Sequence, residues 1–346
     1  MSWKLGSGPR LAAMLVAVSA YFGPQWAPQT TGVAARLRGV SAVSDRVVWA
    51  SGAEGTVVRT GDGGLTWPRL RIPDAERLDF RDIDAIDERV AFVLSIGPGD
   101  ASRIYKTTDA GVTWTLQFAN PDPKAFFDAM AFWDANRGIA FSDSVDGRFV
   151  ILTTRDGGRT WARVPQDGLP AALENEGAFA ASGTNVAVHG LDRVWIGTGG
   201  AAKSRVLRSA DGGRTWSIAD TPLASGASSG IFSIAFRDAT HGVVVGGDYR
   251  RETVAADNVA ITSDGGATWT LIKDSGLSGF RSVVASVPGA ARSWLAVGPS
   301  GADLSTDDGR TWKKIDGPGF HTFSFAPDGA AGWGAGERGA VAKFAW

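Results

Sequence analysis

The chain has 346 residues, with 35 Lys and Arg set against 36 Asp and Glu, no cysteine, 46 glycines and 14 tryptophans. A formal net charge of -1 supplies no basic field for a phosphate backbone, which argues against nucleic-acid binding. The lack of cysteine removes disulfides, thiolate nucleophiles, iron–sulfur clusters and Cys-type zinc sites, and His189, His241 and His321 are too widely separated to make a metal-ligand spacing.

Residues 1–20 carry Lys4 and Arg10, then the apolar run Leu11 to Val18, then the small residues Ser19 and Ala20. That order is the order of a cleaved secretory signal peptide, and the run is much shorter than the roughly 20 residues that cross a bilayer. The expected mature protein, residues 21–346, is therefore periplasmic or secreted.

Beyond this segment the pattern [Ser/Thr]-x-Asp-x-Gly-x-Thr-Trp occurs six times, first as Thr60-Gly61-Asp62-Gly63-Gly64-Leu65-Thr66-Trp67. Its aspartates are Asp62, Asp109, Asp156, Asp211, Asp264 and Asp307, spaced by 47, 47, 55, 53 and 43 residues, and its tryptophans are Trp67, Trp114, Trp161, Trp216, Trp269 and Trp312. The physics is that of a tight turn: the carboxylate accepts from backbone N–H groups of its own turn, and the glycine takes a positive φ. Thr and Trp then begin a strand, and the indole is placed to pack on the neighbouring repeat. One carboxylate per turn is too few for calcium, which takes six to eight oxygens.

Before each turn come three short apolar runs, in the first repeat Val40 to Val43, Val47 to Ala50 and Thr56 to Arg59. Four antiparallel strands in 43 to 55 residues is the arithmetic of a β-propeller blade. First strands are expected near 38–43, 81–86, 128–132, 176–181, 230–236, 281–286 and 321–325. The seventh unit, Phe320 to Trp346, stops after three strands, so its fourth is expected from Gln25-Trp26-Ala27-Pro28 at the other end of the chain. The expected fold is all-β, a single seven-bladed propeller closed by its N-terminal strand, in place of the two domains that length alone suggests at roughly 150 residues each.

The Asp-box turns, together with Trp-x-x-Gly second strands such as Trp49-Ala50-Ser51-Gly52, resemble the BNR/Asp-box propellers. The seven units and Trp-terminated turns are similar to the photosystem II stability/assembly factor family and its relatives in bacteria that do not photosynthesise. The resemblance covers residues 25 to 346 and implies a non-catalytic extracytoplasmic binder that helps to build a membrane protein complex. Asp boxes also occur in sialidases and xyloglucan-degrading hydrolases, so the motif carries the fold further than the function.

In a propeller the seven first-strand entrances converge on the central channel, opposite the Asp turns, and form the default binding face. Those positions hold Arg38, Arg81, Asp82, Asp128, Glu174, Glu176, Ser228, Ser229, Arg281 and His321. Arginine forks suit carboxylates, so a protein or peptide partner bound by a monomer is the first expectation, with no cofactor. The loop from Gly247 through Tyr249 to Asp257 is a candidate lid. The alternative is a sialidase-like glycoside hydrolase acting on an anionic glycan. It would draw its arginine triad from Arg38, Arg81 and Arg281, its nucleophile from Tyr249 or Tyr105, and its carboxylates from Asp128, Glu176 or Glu252. Against it, Arg71-Ile72-Pro73 follows the first Asp box, whereas the matching sialidase motif precedes it.

Overall fold

The structure is a computed structural model that describes Met1 and residues 24–346. Apart from Met1, the expected signal segment 1–20 lies outside the described residues.

Seven four-stranded antiparallel sheets make up the described chain. Blade one consists of Leu37–Ala42, Val48–Gly52, Thr56–Thr60 and Arg69–Leu70. Blades two to six begin at Asp79–Ala85, Phe127–Phe132, Val186–His189, Ser229–Phe236 and Val283–Ser286. Blade seven contains Thr322–Phe325, Gly332–Ala335 and Val341–Ala345, and its outer strand is Gln25–Gln29, with Trp26 opposite Phe344. The N-terminal strand therefore closes the ring as its pattern predicts. Trp26 packs against Phe320, Phe323 and Phe344 at centroid distances of 5.0, 5.8 and 4.9 Å.

The core is divided among the seams between blades, because each second strand is covered on both faces. Val48–Gly52 is buried at every position, and Trp49, Trp195, Trp294 and Trp333 on second strands are among the largest fully buried side chains. Trp67 of blade one joins a cluster with Trp333 of blade seven, and Trp269 of blade five joins one with Trp195 of blade four.

The six Asp boxes share one hydrogen-bond pattern. In the first, the Thr66 amide donates to Asp62 Oδ1 at 3.0 Å, the Thr66 hydroxyl to Oδ2 at 2.6 Å, and the Gly64 amide to Thr60 Oγ1 at 2.9 Å. The same bonds recur around Asp109, Asp156, Asp211, Asp264 and Asp307. Glycine is needed here for two reasons. Gly266 has φ 80°, and a Cβ on it would lie 3.2 Å from Trp195 and 3.4 Å from Trp269.

One first strand differs from expectation. In blade four it is Val186–His189, and residues 176–181, read from the sequence as that strand, belong to a long connection from blade three. The physical reason is a competition for backbone partners. This segment finds its hydrogen bonds across the channel and on six other blades, so the ladder starts later.

Candidate functional site

The connection into blade four crosses the channel as a strap, residues 176–185. Blades one and two hold it by carbonyls: Arg38 Nη1 donates to Ala181 O at 3.4 Å and Arg81 Nη1 to Ala180 O at 2.9 Å. Asp143 of blade three accepts from the Ala178 amide at 3.0 Å. Phe179 stacks on Phe232 of blade five at 4.0 Å and 6°, and Thr184 Oγ1 donates to Ser233 Oγ at 2.8 Å. Ser182 donates to Ser282 O near blade six, and its own carbonyl accepts from Thr322 of blade seven. The strap closes the channel near its mouth and leaves a shallow cavity of about 320 Å³ above itself.

That cavity has a basic side and an aromatic side. Arg38, Arg81 and His321 form the first; Phe179, Phe232, Phe280 and Tyr249 form the second. Arg38 Nε is buried and has no partner among the described residues, and burial, reinforced by Arg81 and Arg36, pulls its pKa down to about 10. Arg81 Nε is held by Asp79 at 2.9 Å, while no described residue accepts from its Nη2. His321 Nε2 lies 2.7 Å from Glu337 Oε1, and its Nδ1 is buried and unpartnered. Burial, followed by the charge of Arg38, lowers the imidazole pKa and favours the neutral ring. With Nε2–H donating to the carboxylate, Nδ1 of the neutral ring is an acceptor. The mouth thus offers guanidinium donors beside one imidazole acceptor.

The other expected site residues are placed elsewhere. Arg281 is completely buried and makes four hydrogen bonds, to Asp303, Phe280 O, Ser300 and Ser278, with Nη2 also 2.6 Å from Asp303. Glu176, 1% exposed, is bound by Arg205, Thr198 and the Leu173 amide, and so anchors the strap. Asp82 is buried and accepts from the Met130 amide at 2.7 Å. Asp128 is 1% exposed, and burial followed by the neighbouring Asp143 pushes its carboxyl well above the usual range. Burial likewise raises Asp143 to about 6. Asp128 and Glu176 do not face each other across an open cleft, as a pair of glycosidase acids would. Tyr105 is buried against Phe80, whereas Tyr249 stands 41% exposed at the rim. Among the described residues no three carboxylate or imidazole groups gather in a metal-holding cluster.

Reading the entrances from the sequence missed the aromatic side altogether. Phe179 falls in the stretch expected as a strand, and Phe232 and Phe280 lie in apolar stretches that carry no ligand signature. The one available signal was the longest aspartate spacing, 55 residues between Asp156 and Asp211, which contains the strap.

No family model matches the sequence, and no curated protein does. Solved structures match it closely in fold. "YCF48 bound to D1 peptide" is similar with a TM-score of 0.67 at 16% identity, covering 93% of this chain and 97% of that one. YCF48 from Cyanidioschyzon merolae gives 0.64 at 19% identity over 92% and 98%. The Niastella koreensis GH74 enzyme gives 0.63 at 17% identity, covering 92% of this chain and 53% of that one, so this chain spans about half of its length. At these identities the likeness establishes the seven-bladed fold.

Proposed function

We propose that this protein is an extracytoplasmic, non-catalytic binding propeller that holds a peptide segment of a protein partner at its channel mouth. A partner under assembly into a membrane complex is the case implied by the Asp-box resemblance. The observation that carries the reading is the cluster of Arg38, Arg81 and His321, which line one cavity opposite a wall of aromatic rings, with no carboxylate among the described residues bonded to Arg38. A peptide offers the complementary set, carbonyl and carboxylate oxygens for the guanidiniums and N–H groups for the imidazole. The neighbouring structure solved with a bound peptide supports the same class of ligand on this fold. Extracytoplasmic placement rests on the order of charged, apolar and small residues in 1–20.

The test is copurification of the tagged protein from the envelope fraction of its own host, comparing wild type with an Arg38→Gln, Arg81→Gln double variant. A partner recovered by wild type and lost by the double variant is the expected result. Equal recovery by both, or loss only on altering the opposite Asp-box face, would overturn the proposal. Arg281 is left unchanged because its guanidinium is part of the core.

A further inference from the structure

We infer that the mouth is a two-part site that selects a peptide carrying an acidic residue next to an aromatic one, and that the strap is the element setting this preference. The inference rests on the peptide-binding reading and goes beyond it in naming the side chains that are recognised.

The argument starts from the closed channel. Because residues 176–185 bond to every other blade, a ligand does not thread the ring; it lies across the mouth with the strap as its floor. The cavity of about 320 Å³ is at the small end of ligand pockets, which start near roughly 300 Å³, so it admits one or two side chains. One wall is basic and electrostatically unsatisfied, as burial and mutual repulsion lower the Arg38 pKa. An anionic group entering there relieves that repulsion and takes charge-assisted bonds stronger than those to the carbonyls of Ala180 and Ala181.

The opposite wall is a nest of rings. Phe179 of the strap stacks on Phe232, Phe280 meets Phe232 edge to face at 4.6 Å, and Tyr249 stands edge-on to both Phe179 and Phe232 at 6.2 and 6.1 Å. Phe232 and Phe280 are nearly buried, yet the nest remains open on the cavity side, where Tyr249 is 41% exposed. An aromatic side chain placed there completes the edge-to-face cluster and covers apolar surface. Both walls line the same cavity, so the acid and the ring must be adjacent in the ligand.

The experiment uses the whole protein and three acetylated, amidated peptides with no free carboxylate at the terminus: Gly-Ser-Glu-Phe-Glu-Ser-Gly, its Glu-Ala-Glu counterpart and its Gln-Phe-Gln counterpart. Affinities are read by isothermal titration calorimetry. The Glu-Phe-Glu peptide is expected to bind about tenfold more tightly than the Glu-Ala-Glu peptide, the scale of one well-buried ring. It should also bind more tightly than Gln-Phe-Gln. Tyr249→Ala, at an exposed position, and Phe179→Leu, within the strap, should each reduce the Phe-over-Ala preference while leaving the Glu-Ala-Glu affinity in place. Arg81→Gln should weaken both acidic peptides.

Equal affinity for the Phe and Ala peptides, with both still sensitive to Arg81→Gln, would sink this inference and leave peptide binding standing. Failure of all three peptides to bind would count against both. A preference unchanged by Tyr249→Ala and Phe179→Leu, in proteins with wild-type thermal midpoints, would remove the strap and its nest from the explanation.

Discussion

On the Asp-box face, six carboxylates occupy six copies of one turn, and hydroxyl and amide donors hold them down. The Thr113 hydroxyl and amide bring Asp109 to about 2, and the Thr160 amide and hydroxyl do the same for Asp156. At the mouth and on the seam below it, half-buried carboxyls of blades two and three are displaced the other way by desolvation, Asp84 and Asp143 to about 6. The residue type is the same and the sign is opposite, because hydrogen bonding to the charged form dominates in the turns and desolvation dominates near the strap. The repeated face is built for the scaffold. The irregular face departs from the repeat where the strap crosses the channel.

The largest effects should come from testing which mouth residues belong to the scaffold. Arg281 and Asp303 form a fully buried pair, and removing one partner leaves a buried charge. Arg281→Gln should therefore cost about 3 to 5 kcal/mol in chemical denaturation. Arg38→Gln, which loses only one long bond to Ala181 O, should stay within about 1 kcal/mol. Similar losses for the two variants would dissolve the distinction between core and site at the mouth.

Of the same size is the loss of a well-buried Asp-box indole. Trp312 is 4% exposed, donates to Gly309 O at 2.9 Å and packs in a cluster with Val243 of blade five. Trp312→Ala should cost about 3 to 5 kcal/mol by thermal or chemical denaturation. Trp216 is only partly buried against blade three, and Trp216→Ala should cost visibly less. A reversed order would mean that the seams are not the sites of the core.

These scaffold features were legible because the repeat states them six times. Asp62 and Trp67 recur at fixed spacing, and the missing fourth strand of the last unit pointed to Gln25–Gln29. The strap was not legible, since Glu176-Gly177-Ala178-Phe179-Ala180-Ala181 sits where the repeat spacing calls for a first strand and occurs once. Its path depends on partners as distant as Arg38 and Thr322, which no local pattern encodes. The same holds for Arg281. A lone arginine at a strand entrance reads as a ligand contact until Asp303, on a different strand, is found beneath it.

A smaller effect tests the opposed carboxylates directly. For the Asp boxes the folded pKa is depressed, so their stabilisation is present above about pH 4 and is lost as pH falls towards 2. For Asp84 and Asp143 the folded pKa is raised. The unfolded chain releases these protons near pH 4 and the native protein only near 6, so stability declines as pH rises through that window. Taken by themselves, these two sets of groups favour the folded state most near pH 4. Asp84 accepts from the Phe132 amide, a position where Ser41 and Ser324 use a hydroxyl to bridge other seams. Asp84→Ser copies those seams and should reduce the decline between about pH 4 and 6 to the part carried by Asp143, leaving the acid limb unchanged in a pH series of urea melts. An Asp84→Ser profile that keeps the wild-type slope between about pH 4 and 6 would contradict the raised pKa assigned to Asp84.

The smallest expected effect lies inside the repeated face. In five boxes a glycine or an aspartate occupies the position after the Asp, but the second box has Ala110 there, at φ 63°. A left-handed conformation is strained for alanine and costs a glycine little, although glycine gives the unfolded chain more freedom. The strain is the larger of the two terms at a position where positive φ is enforced by the bonds around Asp109. Ala110→Gly should therefore stabilise the protein by about 0.5 to 1 kcal/mol. The corresponding Gly157→Ala in the third box should destabilise it, with added crowding because a Cβ there would sit 2.9 Å from Ala135 O. If thermal midpoints moved the same way in both variants, backbone strain would not be what makes glycine the usual choice in this turn, and crowding at the seam would have to carry the explanation alone.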